Sequence, residues 1–178
     1  MLVISTVSIL FVDIIMYYLF DFDGTLVTPL EIDYNELKDI ICSKLNLVSA
    51  TPMIDTVYMH SSSPTDIFKI IDKYECDALL KSRPRESIID LYKTTTPRIV
   101  ITRNGKSVVD LFFKIYNLPL PDFISCRDNC RFMKPNTLHL KHAISNFPAL
   151  SRSNLIVVGD SWHDEELARN FQCEFMRA

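Results

Sequence analysis

The sequence predicts an α/β fold in which helices flank a parallel sheet and a small all-α module is inserted after the first strand. Four short apolar runs, each followed by a polar cluster, are typical of strands buried on both faces: residues 17–20, 98–101, 122–124 and 155–158. Helical periodicity fills the segments between the last three runs. Because strands that alternate with helices form parallel sheets with right-handed crossovers, we expect a Rossmann-like architecture.

Three helices beside the sheet are predicted from the spacing of apolar residues. Between the second and third strands, the apolar residues of 108–115 recur at i, i+3, i+4 and i+7, which is the period of one helix face. A weaker version of this pattern covers 140–147, after the third strand. A further helix around 88–92 precedes the second strand.

The segment between the first and second strands is too long for one crossover and predicts a separate helical module. Apolar stripes at 37–45 and 67–74 each fit one face of a helix. The second helix is expected to begin with Ser63 as N-cap, Pro64 at the first helical position and Asp66 in the first turn.

The chain is therefore expected to divide into three parts. Residues 16–27 and 83–178 form the sheet domain, 28–82 form the helical module, and 1–15 form an N-terminal extension. The apolar N-terminus is nearly long enough to span a bilayer, so a membrane anchor is the alternative for this extension. Asp13 and the lack of a basic leader region argue against an anchor, and we expect a cytoplasmic protein.

Composition excludes several functional classes. A net charge of -3, from 19 basic and 22 acidic residues, argues against nucleic-acid binding, because such proteins carry an excess of Lys and Arg. The five cysteines have no paired spacing and are expected to be reduced.

The 3 glycines all lie just past predicted strands: Gly24, Gly105 and Gly159. Ligands bind at these carboxyl ends in parallel sheets, so we expect the functional site there.

Two carboxylates follow the first strand. Asp21 and Asp23 flank Phe22, so both project to one side of the sheet, where they repel each other unless a cation or a proton is present. Mg²⁺ suits such a site because it takes oxygen ligands. The alternative is a turn with two solvated acids.

The other strand ends add groups that bind oxyanions and further acids. Thr102 follows the second strand and Asn104 turns the backbone after it, which offers a hydroxyl and free N–H groups. Lys134 follows the third strand and brings an ammonium group to the same edge. Asp160 follows the fourth strand, and Asp164 lies one helical turn later, where it also fits an S-x-x-D helix cap.

In this order, the strand-end motifs resemble those of the haloacid dehalogenase superfamily: DFDGT at 21–25, Thr102, Lys134-Pro135 and GDSWHD at 159–164. The resemblance covers residues 17–178. It implies that the helical module is the cap of phosphoglycolate-phosphatase-like members. We expect the last strand of the family's sheet to be truncated or absent, because the chain ends soon after Phe175.

The resemblance further implies a Mg²⁺-dependent phosphatase that hydrolyses a small phosphate monoester through an aspartyl-phosphate. Asp21 would attack phosphorus, and Asp23 would protonate the leaving oxygen and then deprotonate the attacking water. The resemblance places Mg²⁺ on Asp21, Asp160 and the main-chain carbonyl of Asp23. Asp164 would hold a metal-bound water or orient Lys134.

The resemblance assigns the substrate phosphate to the loops after the second and third strands. Thr102 and Lys134 would neutralise charge on the transferring phosphoryl oxygens. Arg103 and Asn104 follow Thr102 directly, and Arg103 either touches the substrate or forms a salt bridge between the domains. Arg127 either lines the site or lies in a solvated loop.

Three other interpretations stay open. A receiver-type phosphoacceptor domain has an adjacent acidic pair, whereas Phe22 separates the acids here. A catalytically silent scaffold would bind a partner, but such relatives lose an acid or the lysine. A phosphomutase or phosphonate hydrolase is disfavoured by Thr25, where sugar phosphomutases more often carry Val. We expect a monomer or homodimer whose partner is a small phosphorylated metabolite, not nucleic acid or a membrane.

Overall fold

The computed structural model describes residues 15–178 and contains a parallel sheet flanked by helices, so the predicted α/β fold is confirmed. In this part of the chain the sheet has five strands in the order β3-β2-β1-β4-β5. The strands are β1 (Tyr17–Phe20), β2 (Ile99–Ile101), β3 (Phe123–Ser125), β4 (Leu155–Gly159) and β5 (Glu174–Arg177). The extension predicted over 1–15 lies, except for Ile15, outside the described residues.

The first strand lies at the centre of the sheet because its residues are apolar on both faces. β1 pairs in parallel with β2 on one side and with β4 on the other. Leu19 and Phe20 are fully buried and belong to two different apolar clusters, one on each face. Burying one such side chain stabilises a fold by roughly 2 kcal/mol. This packing fixes the point where Asp21 leaves the sheet.

Four helices cover the two faces of the sheet: α4 (Glu86–Thr94), α5 (Lys106–Ile115), α6 (Thr137–Ile144) and α7 (Trp162–Phe171). The apolar faces of α4 and α5 pack in the cluster that contains Phe20, and those of α6 and α7 pack in the cluster that contains Leu19. Within residues 15–178, none of the helices is long and apolar enough to cross a membrane.

Three further helices precede α4 in the segment between β1 and β2: α1 (Tyr34–Leu45), α2 (Met53–His60) and α3 (Pro64–Leu79). The predicted apolar stripes lie on α1 and α3, whereas the sequence alone does not predict α2. Ser63 is the N-cap of α3 and Pro64 its first residue, as predicted. The three helices share an apolar cluster that also takes in Cys130 and Met133 of the loop after β3 and includes Leu37, Ile41, Ile54, Val57, Ile67 and Ile71.

The helical module joins the sheet domain through two chain segments that run side by side. The Thr28 amide donates to the Arg83 carbonyl at 2.8 Å, and the Arg83 amide donates to Thr28 Oγ1 at 3.0 Å. The Arg85 amide donates to the Leu26 carbonyl at 3.0 Å. The boundaries predicted for the helical module, at residues 28 and 82, fall next to these hydrogen bonds. The division into domains stays a prediction.

The expectation that the last strand is truncated or absent is wrong. β5 pairs in parallel with β4 along four residues, from Glu174 beside Ile156 to Arg177 beside Gly159. Phe175 of β5 packs against the apolar cluster on one face of the sheet. The strand forms because it covers the edge of β4 and adds apolar area to that cluster.

Candidate active site

Polar residues at the carboxyl ends of the strands line a cavity of about 1100 Å³ between the sheet and the helical module. Six of the eight candidate residues lie on its wall: Asp21, Asp23, Arg103, Asn104, Lys134 and Asp160. The other two, Thr102 and Asp164, are fully buried. The structure therefore brings together residues from four separate strand ends, at the edge where parallel sheets bind ligands.

Lys134 lies between two carboxylates at the floor of this cavity. Its Nζ is 2.6 Å from Asp21 Oδ1 and 2.5 Å from Asp164 Oδ1, and all three side chains are buried. Burial raises the pKa of Asp21 to about 7, although Lys134 opposes the increase. Burial disfavours the charged form of Lys134, but the attraction of the two carboxylates is larger than this effect and raises the pKa of the lysine. The three side chains form one buried unit in which a single ammonium serves two acids.

Asp164 is bound to the protein on both of its carboxylate oxygens. Ser161 Oγ donates to Asp164 Oδ2 at 2.5 Å and the Ser161 amide donates to it at 3.2 Å, which is the helix cap predicted at the start of α7. Burial favours the neutral acid, but Lys134 and Ser161 lower the pKa of Asp164 below its usual value. Asp164 therefore holds Lys134 in place from behind the cavity wall.

The acids at the cavity floor lie close enough to share a cation. One oxygen each of Asp21, Asp160 and Asp164 lie within 4.8 Å of one another. In the described part of the chain, Asp160 accepts a hydrogen bond through its main-chain oxygen, from Arg177 at 2.8 Å, and its carboxylate has no protein partner. Mg²⁺ typically binds through one or two carboxylates and keeps several waters. The donor set fits Mg²⁺, with Asp21 and Asp160 as the available carboxylates.

Gly24 keeps the space in which the Asp160 carboxylate lies. Its φ is +77°, a conformation that favours glycine, and a Cβ there would collide with the Asp160 side chain. We expect Gly24→Ala to cost about 1–2 kcal/mol of stability through the backbone alone and to weaken Mg²⁺ binding by displacing Asp160. Thermal unfolding and calorimetric titration with Mg²⁺ measure the two effects. A variant that binds Mg²⁺ like the wild type would contradict the position assigned to Asp160.

Asp23 faces the cavity beside the acids of the floor. Its Oδ1 accepts a hydrogen bond from the Leu30 amide at 2.7 Å, in the segment that leads into the helical module. Burial raises the pKa of Asp23 to about 6, and the negative charges of Glu75 and Asp160 act in the same direction. A carboxyl group with a pKa near neutrality is suited both to donate and to accept a proton.

The loop after β2 forms one wall of the cavity. Thr102 Oγ1 donates to Asn104 Oδ1 at 2.8 Å and accepts from the Asn104 amide at 3.1 Å. Arg103 Nη1 lies 2.9 Å from Nε2 of His163, whose ring stacks on Trp162. Burial and Arg103 lower the pKa of His163, so the neutral imidazole accepts this hydrogen bond. Arg103 therefore faces the cavity, and within residues 15–178 it forms no salt bridge with the helical module.

The sequence does not reveal the roles of two charged residues near the site. Arg127, expected either to line the site or to lie in a solvated loop, is instead fully buried and pairs with Asp72 and Glu75 of α3. Glu75 also lines the cavity. Arg and Glu are rarely buried, and the two partners lie 52 residues apart, so no local pattern signals the pair.

A comparison of the sequence with protein-family models finds one family that the chain matches. The family model of the haloacid dehalogenase-like hydrolase matches residues 53–178, which is more than half of the chain. The matched region includes Thr102, Lys134, Asp160 and Asp164. No curated protein sequence matches the chain significantly.

Solved structures share the fold at low sequence identity. A hydrolase from Pseudomonas syringae is 16% identical with a TM-score of 0.66, over 90% of this chain and 82% of that chain. CbbY from Rhodobacter sphaeroides, in complex with phosphate, is 16% identical with a TM-score of 0.62, over 92% and 86% of the two chains. YfnB from Bacillus subtilis, bound to magnesium, is 12% identical with a TM-score of 0.57, over 90% and 85%. These similarities establish the fold.

Proposed function

The chain belongs to the haloacid dehalogenase-like hydrolase family, and on that premise we propose that it is a Mg²⁺-dependent phosphatase acting on a small phosphate monoester. The observation that carries the proposal is the pairing of Asp21 with Lys134 at the cavity floor, beside Asp23 and Asp160. Together these residues place a nucleophile, a cation and a proton donor on one face of the cavity. The similar structures of CbbY and YfnB contain phosphate and magnesium respectively.

Asp21 is the proposed nucleophile. Its carboxylate forms a bond to phosphorus while the bond between phosphorus and the leaving oxygen breaks, which gives an aspartyl-phosphate. Lys134 favours the ionised form of Asp21, against the effect of burial. When bound, Mg²⁺ would be held by Asp21, Asp160 and the main-chain carbonyl of Asp23, and would supply positive charge to the phosphoryl oxygens.

Asp23 is the proposed acid and base. In its protonated form it donates to the leaving oxygen, and as a carboxylate it then accepts a proton from the water that attacks the aspartyl-phosphate. A pKa of about 6 suits both roles. The cycle consumes one water, releases an alcohol and inorganic phosphate, and returns Asp21 and Asp23 to their starting forms.

Three side chains on the cavity wall are proposed to bind the substrate phosphate. Lys134, Asn104 and Arg103 supply an ammonium, an amide and a guanidinium. Such donors lower the barrier most when they are already in place before charge develops in the transition state. Thr102 holds Asn104 from behind through its hydroxyl and completes the phosphate-binding loop.

The helical module over 28–82 is proposed to act as a cap that selects the organic part of the substrate. Its share of the cavity wall combines apolar side chains such as Leu30, Met53 and Ile54 with three charged ones, Lys38, Asp55 and Glu75. A concave site with apolar walls and a few convergent polar groups is typical of small-molecule sites. The substrate class that fits is a phosphorylated metabolite.

We expect Asp23→Asn to impair poor leaving groups more than good ones. The kcat/KM for an alkyl or sugar phosphate should fall by about 10²–10⁴-fold, because an alkoxide needs a proton to leave. The loss for p-nitrophenyl phosphate should be much smaller, because p-nitrophenolate leaves without one. The Asn oxygen can still accept from the Leu30 amide, so the fold is retained. Equal losses for both esters would contradict the role of Asp23 as the acid.

Phosphate release by the purified protein tests the proposed function. The substrates are p-nitrophenyl phosphate and a panel of sugar, nucleotide and glycolate phosphates, each with Mg²⁺ and with EDTA. We expect turnover of at least one ester that requires Mg²⁺. A folded, Mg²⁺-binding protein without turnover on any ester would favour the silent scaffold instead.

A further inference from the structure

A buried group of charges joins the helical module to the phosphate-binding loop. The Arg127 side chain is 0% exposed and pairs with two carboxylates of α3, Asp72 and Glu75. These acids are three residues apart, so they lie on the same face of the helix. Arg127 follows β3 and belongs to the sheet domain, so the pairs cross the domain boundary.

Glu75 also bonds to the loop after β2. Its Oε1 accepts from Arg127 Nη1 at 2.7 Å and from Asn104 Nδ2 at 3.0 Å. Its Oε2 accepts from Arg127 Nη2 at 2.8 Å and from the Gly105 amide at 3.1 Å. A carboxylate has about four acceptor positions, and all four are directed at donors of the sheet domain. Asp72, in contrast, forms no hydrogen bond to this loop in the described structure.

The contact with Glu75 determines how the loop presents its groups. Because the Glu75 carboxylate can only accept, the Asn104 side chain must turn its amide nitrogen toward it. The Asn104 oxygen then points to Thr102, whose hydroxyl donates to it at 2.8 Å. One side chain of α3 therefore sets the orientation of a cavity-wall residue and, through it, of Thr102.

We propose that Glu75 is a positioning residue that couples docking of the cap to the arrangement of the phosphate-binding loop. The inference rests on the proposed function, because it assigns that loop to the phosphate. With α3 docked, Glu75 holds the Asn104 side chain on the cavity wall and also fixes the Gly105 amide. Without α3, the loop loses both hydrogen bonds to Glu75 and Arg127 loses both carboxylates.

The substitution Glu75→Gln separates this role from simple attachment of the cap. In Gln, an NH₂ group replaces one of the two carboxylate oxygens of Glu75. This group would face N–H donors from which the oxygen accepted hydrogen bonds, so the contacts to Asn104 and Gly105 cannot all persist. Asp72→Asn is the matched control, because it removes the other carboxylate from Arg127 on the same helix face. Glu75→Asp is a second variant that keeps the charge but shortens the reach to the loop.

Two measurements on the full chain decide the matter. With p-nitrophenyl phosphate, we expect kcat of Glu75→Gln to fall by about 10- to 100-fold with KM within about threefold of wild type, because misplaced groups lose transition-state stabilisation. Asp72→Asn should keep kcat within about threefold. Hydrogen exchange of the peptide over 101–107 should accelerate in both Glu75 variants and stay at the wild-type rate in Asp72→Asn.

The possible results separate this inference from the proposed function. Equal losses of kcat in Glu75→Gln and Asp72→Asn, or wild-type kcat and loop exchange in both Glu75 variants, would overturn the positioning role alone. If Glu75→Gln does not fold, Glu75→Asp gives the same comparison. If the wild type hydrolyses no ester, the proposed function is rejected. In that case, hydrogen exchange of the loop at the wild-type rate in the Glu75 variants would also reject the coupling between the cap and the loop.

Discussion

Replacing Asp21 by Asn is expected to abolish phosphate release while leaving the protein folded. Turnover should fall by about 10⁴-fold or more, because an amide cannot form the bond to phosphorus that a carboxylate forms. Asn has nearly the same shape as Asp, so the cavity wall keeps its contour. Lys134 keeps its second partner, Asp164, at 2.5 Å. Phosphate release by the variant at saturating substrate measures the effect.

Thermal unfolding of Asp21→Asn provides the control, and its pH dependence follows from the raised pKa. Burial raises the pKa of Asp21 to about 7 in the folded protein, from 3.8 in the unfolded chain. Below pH 3.8 the acid is protonated in both states, and between these values folding must take up a proton. Wild-type stability therefore falls across this range, while Asn has no proton to take up. In EDTA, the Tm of the variant should increase relative to the Tm of the wild type as the pH rises toward 7. A difference in Tm that does not change with pH would contradict the raised pKa of Asp21.

Replacing Lys134 by Met is expected to lower both activity and stability. The change leaves Asp21 and Asp164 buried without their shared cation, and removing one partner from a buried ion pair costs about 3–5 kcal/mol. Loss of a preorganised donor to the phosphoryl oxygens should lower kcat by about 10²–10³-fold. Chemical denaturation and steady-state hydrolysis measure the two effects.

An exposed lysine serves as the control for Lys134→Met. Lys106 pairs with Asp110 at 2.6 Å, but both side chains are about half exposed, so Lys106→Met should change stability by about 1 kcal/mol or less. Mg²⁺ should raise the Tm of Lys134→Met more than that of the wild type, because a divalent cation offsets the missing ammonium. Equal stability of the two lysine variants would contradict the buried unit at the cavity floor.

The sheet and the placement of the candidate residues could be predicted because local patterns encode them. Residues 17–20 are apolar on both faces of the chain, which suits the central strand, and Asp21 follows at once. Helix α5 forms where the apolar period predicts it, although its buried face includes Val109 and Phe113, and Ile115 at the end of the predicted stripe is 44% exposed. Parallel strands bring their carboxyl ends to one edge, so the sequence positions of Lys134 and Asp160 were sufficient to place them near Asp21.

The remaining features depend on contacts between distant parts of the chain. β5 is a four-residue edge strand with a charged residue at each end, and its apolar residues gain a partner only beside β4. Arg127 and Glu75 become buried because each satisfies the other across 52 residues. Neither partner alone carries a pattern that distinguishes a buried ion pair from two solvated side chains.

The most direct test of the central claim is detection of a phosphoryl group on Asp21. Wild type and Asp23→Asn are mixed with p-nitrophenyl phosphate and Mg²⁺, quenched in acid during turnover, and the peptide that contains Asp21 is weighed by mass spectrometry. We expect a phosphorylated Asp21 that accumulates in Asp23→Asn, where hydrolysis of the intermediate is slowed, and that is absent with EDTA. Phosphate release from an enzyme whose Asp21 stays unmodified in both proteins would contradict the account.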